Sequence, residues 1–281
     1  MKVVITLTLL LLSQAQANDF DDTICIRNIN FKKEVLKDNV YNPYQMVIDY
    51  DTNTLFFSFT VDTRDDNSDV FKSAYLNLKT DEYNTIPGII GGFAAAVDKN
   101  KHQIYLGGRD GIHEYDYATH KANRIDPDGR SIWQMFFKDN LYYTTYPDEG
   151  VYIFNGTKSS RVLNLEDTRA LLIAIDNKYN IYFSNSSGLF CYKKDKSFIS
   201  LGEYNLNSFT GDINNNLYFS TPEGFYHIGS NHTVTKLAEV DNVYGLVVEG
   251  DNNFIYGAEN EIIRLKPTKE PCGVNEKRNR T

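Results

Sequence analysis

The sequence predicts an all-β protein, a six-bladed β-propeller of four-stranded antiparallel blades with the ring closed by an N-terminal strand. Three observations predict it. First, an apolar run, an Asp/Asn/Lys turn and a second strand bearing an aromatic recur six times. The copies are YQMVIDYDTNTLFF (44–57), FAAAVDKNKHQIYL (93–106), WQMFFKDNLYY (133–143), LLIAIDNKYNIYF (171–183), NSFTGDINNNLYF (207–219) and YGLVVEGDNNFIYG (244–257). Second, their aromatic anchors Phe56, Tyr105, Tyr142, Tyr182, Tyr218 and Tyr256 are separated by 49, 37, 40, 36 and 38 residues. Third, another strand follows each anchor, and a more polar one follows that in most copies. Four short strands per ~40 residues is the pattern of a propeller blade, whereas a β-sandwich requires no constant period.

The elements follow in order. The third strands read AYLNL (74–78), GIHEYD (111–116), GVYIFN (150–155), GLFCYK (188–193), GFYHIG (224–229) and EIIRL (261–265). Fourth strands are ANRIDP (122–127), SRVLNL (160–165) and TVTKLAEV (233–240). The long first interval is explained by a polar insert, Asp62–Asp69, read as a loop of blade 1. The last unit lacks a fourth strand because the chain turns polar and basic from Pro267, so Ile24–Leu36 is expected to supply it. That closure brings Cys25 toward Cys272, where a disulfide would lock the ring; the alternative is two unrelated thiols. Cys191 would be left unpaired. The expected organisation is therefore a signal peptide at 1–17, the propeller at 18–268 and a polar, basic tail at 269–281.

The compartment is read from the first residues. MKVVITLTLLLLSQAQA has Lys2, a ten-residue, predominantly apolar run from Val3 to Leu12 and an Ala-Gln-Ala cleavage site, the pattern of a secretory signal peptide. An exported chain meets oxidising conditions in which disulfides persist. Asn155, Asn185 and Asn231 head Asn-x-Ser/Thr triplets and are candidate glycosylation sites. A net charge of −8 argues against nucleic acid and anionic membranes as partners, since both are bound through clustered Lys and Arg. A monomer is expected, with no cofactor and no metal site.

Propeller geometry turns the repeat into a site hypothesis. Inner strands line the central channel, and their starts open on one face. Those starts carry Tyr44, Phe93, Trp133, Leu171, Asn207 and Tyr244, four of them aromatic and one the sole tryptophan. Gln134 follows Trp133. Such a mouth suits a small planar aromatic ligand; the alternative is simple packing between blades. Arg109 and Arg169 fall on neighbouring loops, where a guanidinium could meet an acidic group. The acidic series Asp49, Asp98, Asp176, Asp212 and Glu249 ends the inner strands and is read as turn residues.

Catalysis is weighed against this. Six-bladed propellers include calcium-dependent lactonases and esterases, which need several inward carboxylates and amides; only Asn207 holds such a position, with Asn42, just before blade 1, as a second candidate, and two amides do not make a calcium site. No GxSxG motif occurs. GGRDG (107–111) leads into a strand, so the helix N-terminus of a phosphate loop is missing. No enzyme is expected. A protein-interaction propeller is the other alternative.

The stretches VLKDNVYNPYQMVIDYDTNTLFFSF (35–59), FKSAYLNLKTDEYNTIPGIIGGFAAAVD (71–98) and IYLGGRDGIHEYDY (104–117) resemble the ommochrome-binding proteins of lepidopteran insects. The resemblance implies a secreted haemolymph carrier of pigments derived from tryptophan through kynurenine. It assigns no particular ligand contacts.

Overall fold

The computed structural model describes residues 22–61 and 70–272. The expected signal peptide, the Asp62–Asp69 insert and most of the expected tail lie outside the described residues. Six antiparallel sheets form the blades. Their inner strands are Tyr41–Asp49, Ala94–Asp98, Ile132–Lys138, Leu172–Ile175, Ser208–Gly211 and Gly245–Val248. Each inner strand packs on the next, and the sixth returns to the first, so the ring is complete. Among the described residues, no helix is long and apolar enough to cross a membrane.

Local chemistry repeats with the blades. The hairpin joining the first two strands places one residue in the left-handed region in every blade: Asn53, His102, Asp139, Tyr179, Asn215 and Asn252, with φ between 54° and 68°. Asn, Asp and His tolerate that conformation best. The aspartates that close the inner strands hold these turns through backbone N–H groups, as expected. Asp212 Oδ1 accepts from the amides of Asn214 and Asn216, both at 2.8 Å, and Asp176 Oδ1 accepts from Lys178 and Asn180 at 2.8 and 2.9 Å. At the opposite turn, Gly224 has φ 146°, and a Cβ there would meet the Ala238 carbonyl oxygen at 2.1 Å. Only glycine fits.

The core lies between blades, where the repeat's anchors become cross-blade packing. Phe56 is fully buried, its ring centroid 4.9 Å from that of Tyr115 on blade 2. Tyr218 of blade 5 meets Phe254 of blade 6 edge-on at 6.0 Å. Edge-to-face contacts of this kind add to area burial.

Closure departs from expectation in two details. The N-terminal segment is a hairpin, Thr23–Ile26 and Ile29–Asp38, turning at Arg27 and Asn28 with φ 48° and 66°. Two consecutive left-handed residues make the tight turn that matches strand twist. Ile29–Asp38 is the fourth strand of blade 6 and Thr23–Ile26 is a fifth. The partner strand, Glu261–Pro271, continues past the boundary expected at 268 because the N-terminal strand supplies its hydrogen bonds. Cys25 and Cys272 form the anticipated disulfide, with Cα atoms 5.8 Å apart. Farther along the same strand pair, Arg264 donates to both carboxylate oxygens of Glu249 at 2.8 Å and to Glu34 at 3.1 Å. That fork ties first, third and fourth strands of the closing blade together. Cys191 is free and buried, and burial pushes its thiol up to about 12.

Candidate functional site: an aromatic crescent at the channel mouth

The starts of the inner strands of blades 6, 1, 2 and 3 place their aromatics in one continuous series. Tyr244 and Tyr44 meet at 5.4 Å between centroids, Tyr44 and Phe93 at 5.4 Å, and Phe93 and Trp133 at 4.6 Å. Trp133 in turn touches Tyr146 at 5.2 Å. Leu171 and Asn207 hold the corresponding positions on blades 4 and 5, so the aromatics form a crescent rather than a full ring.

Backbone irregularity sets this geometry. Trp133 is skipped in the pairing between Ile132–Thr145 and Gln134–Thr144, which makes it a β-bulge. Tyr44 lies between two left-handed residues, Asn42 and Gln45, both at φ 47°, and the register of its strand shifts on either side. Bulges re-aim side chains and gather next to functional sites. Two of the three half-buried aromatics at the strand starts, Tyr44 and Trp133, thus project from interrupted, not regular, strand.

The members differ in what they present. Phe93 is only 6% exposed, wedged against Tyr44, Trp133 and Phe71, whose centroid lies 4.5 Å away. It backs the crescent and offers little surface of its own. Tyr44, Trp133 and Tyr244 are half-buried, and Tyr146 is 51% exposed at the rim. Burial, then the neighbouring Tyr244, hold the Tyr44 phenol above its ordinary range, so it stays a neutral donor at physiological pH. Phe71 did not stand out in the repeat alignment, since it begins a third strand; that strand starts on the same face, which was the available signal.

The polar candidates divide. The expectation for Gln134 is corrected: its amide is fully buried and committed to the next blade. Its Nε2 donates to the Ile173 carbonyl at 3.1 Å, and its Oε1 accepts from the Ile173 amide at 2.9 Å. A side chain so placed staples blade 3 to blade 4 and has no capacity for a ligand. Asn207 is half-buried and donates through Nδ2 to the Val243 carbonyl at 2.6 Å. Arg109 and Arg169 are exposed. Arg109 packs along Gly91, where a Cβ would meet its Cγ at 3.0 Å. The Arg169 carbonyl accepts from Asn185 Nδ2 at 3.4 Å. Asn155 and Asn231 are exposed, and Asn185 half-exposed, among the candidate glycosylation positions. Among the described residues no group of three or more His, Cys, Asp or Glu is placed to hold a metal ion.

Below the crescent the channel narrows to a cavity of about 40 Å³ whose walls include Met46, Met135, Phe136 and Phe209 together with the polar Gln45 and Thr210. Lys99 stands at its far end.

Fold and crescent together define a six-bladed propeller with a stacking surface at one channel mouth. Comparison with solved structures agrees on the fold. A gluconolactonase from Xanthomonas campestris superposes with a TM-score of 0.68 at 13% identity, covering 88% of this chain and 95% of that one. A streptogramin B lyase superposes at 0.56 with 13% identity, over 85% of this chain and 98% of the other. No protein-family profile matches the chain. The sequence is 38% identical over 280 residues to the ommochrome-binding protein of Manduca sexta, covering 97% of this chain and 100% of that protein. The chain belongs to the ommochrome-binding protein family.

Proposed function

We propose that this protein is an exported, non-enzymatic carrier that binds an ommochrome at the aromatic crescent for transport or sequestration in haemolymph. The observation that carries the reading is the crescent itself. Four consecutive blades bring aromatic rings to one mouth, and two of them, Tyr44 and Trp133, are re-aimed by bulges. Flat rings in a partly desolvated mouth stack a planar polycyclic chromophore. The relative's name points to the same ligand class. The stacking surface is assigned to Tyr44, Trp133 and Tyr244, with Phe93 behind them and Tyr146 at the rim. Asn207 hydrogen-bonds the ligand edge, and Arg109 or Arg169 meets its acidic groups.

The test is binding of a purified ommochrome such as xanthommatin to native protein and to Trp133→Ala. Loss of one stacking face lowers affinity about tenfold, equivalent to ~1.4 kcal/mol. An unchanged affinity in that variant contradicts placement of the pigment at this mouth.

A further inference from the structure

The residue that follows the turn position closing each inner strand is Tyr50, Lys99, Asp139, Asn177, Ile213 or Gly250 in blades 1 to 6. The two longest side chains of that series cross between blades. The Tyr50 hydroxyl donates to the Val248 carbonyl of blade 6 at 2.8 Å. Lys99 Nζ donates to the backbone carbonyl of Asp212 and lies 3.5 Å from Asn215 Oδ1, both on blade 5 across the channel. The ammonium also sits 5.5 Å from the centroid of the Tyr50 ring, so the two crossing side chains meet.

Cavities lie on either side of them. Toward the crescent is the cavity of about 40 Å³. Toward the hairpins that join first and second strands, a cavity of about 300 Å³ opens. Tyr50, Val97, Lys99, Phe137 and Asn215 line both, so they form the wall between them. Phe137 is pinned by the Tyr105 ring, stacked on it at 5.8 Å. Lys99 is held by its two oxygens and by the attraction of the Asp212 carboxylate, while burial pushes its pKa down to about 8. The lowering marks a cation shielded from bulk water. The smaller cavity has room for a few waters, each needing ~10–15 Å³ of such volume, and for no larger molecule.

We infer that the channel is blind: Lys99 and Tyr50 form a partition across it, and whatever reaches the cavity beneath the crescent enters and leaves through the crescent mouth alone. A lysine suits this place because its flexible four-carbon stem spans the gap while its ammonium is anchored by the Asp212 carbonyl, Asn215 and the Tyr50 ring. A ligand at the crescent therefore rests over a closed well and has one exit, so covering that face blocks uptake and release together. The inference concerns the channel and does not depend on the pigment reading.

Met46 and Met135 line the cavity beneath the crescent and are each 2% exposed, which makes them reporters of access. Hydrogen peroxide passes one oxygen to a thioether sulfur, giving the sulfoxide and water, and peptide mass spectrometry follows each site. In an otherwise native protein, Leu171→Trp adds bulk at the crescent mouth and should slow both oxidations about threefold. Lys99→Ala opens the far route, so oxidation should rise about threefold or more and no longer respond to Leu171→Trp. Lys99→Arg keeps a donor-bearing chain across the channel and should oxidise at the native rate. Amide exchange of the inner strands, unchanged in every variant, separates opening of the wall from loosening of the fold. The inference is overturned by native-rate oxidation in Lys99→Ala, or by acceleration there that is matched by faster inner-strand exchange. It is equally overturned if Leu171→Trp fails to slow the native protein, or slows Lys99→Ala as much.

Discussion

Trp133 and Gln134 are neighbours with opposite fates, and the contrast can be measured. The bulge turns Trp133 to the mouth, while Gln134 points into the seam between blades 3 and 4. Gln134→Ala removes the partner of a buried amide and a buried carbonyl, so stability should fall by about 2 kcal/mol, read by denaturant unfolding, while the folded protein keeps its pigment affinity; Trp133→Ala should lower that affinity about tenfold. Tenfold weaker pigment binding by folded Gln134→Ala would refute the division. Lys99 gives a pH signature. Its folded pKa of about 8 lies below the usual lysine value, so the folded state disfavours the proton. The resulting penalty is complete below pH 8 and is relieved as pH rises toward the unfolded value near ~10.4. Native protein should therefore gain stability relative to Lys99→Met across that window. The buried tyrosines are common to both proteins and cancel in the comparison. A difference that stays flat from pH 7 to 10 contradicts the burial of that ammonium. At this scale sequence reading reached its limit: an amide that staples blades and an amide that meets a ligand look alike in a string of letters. The place of Lys99 was hidden for a related reason, because a lysine after a turn aspartate reads as a solvated hairpin residue until its hydrogen bonds across the channel to the Asp212 carbonyl and Asn215 are in view.

Individual elements were more legible. The 40-residue recurrence located every inner, second and third strand, because each blade must bury one aromatic anchor between neighbours and so repeats its pattern. The turn aspartates were legible for the same local reason, since Asp and Asn satisfy hairpin N–H groups wherever they stand. Bulges were not. Asn42 and Gln45 adopt left-handed conformations without any glycine to announce them, and Trp133 occupies its bulge amid an otherwise regular apolar run. The N-terminal hairpin escaped notice because Arg27-Asn28 is a weaker turn signal than Asn-Gly. Its strand pairing can be probed through Arg264, which is 8% exposed. Here Arg264→Ala leaves Glu249 without its bidentate partner, and unfolding free energy should drop by about 3–5 kcal/mol. A loss under 1 kcal/mol would show that the closing strands do not depend on this fork.

The molecule as a whole is a ring whose two ends meet in one blade, held by strand pairing, the Arg264 fork and the Cys25–Cys272 bond. Because that bond spans 247 residues, it restricts the unfolded chain strongly. Cys25→Ser with Cys272→Ser should cost about 2–5 kcal/mol, measured as a fall in the unfolding midpoint without loss of the folded spectrum. An unshifted midpoint would mean that the closing blade holds without its staple. A stable ring matters for function, since the crescent is assembled from four blades and exists only while they keep their places. The central claim is that the pigment lies on that crescent, and the sole tryptophan is part of it. The most direct measurement is a titration of Trp133 emission with xanthommatin. The account predicts saturable quenching at low micromolar pigment or below, absent with an unrelated acidic dye. Pigment that binds and co-elutes with the protein while Trp133 emission stays unquenched would contradict it.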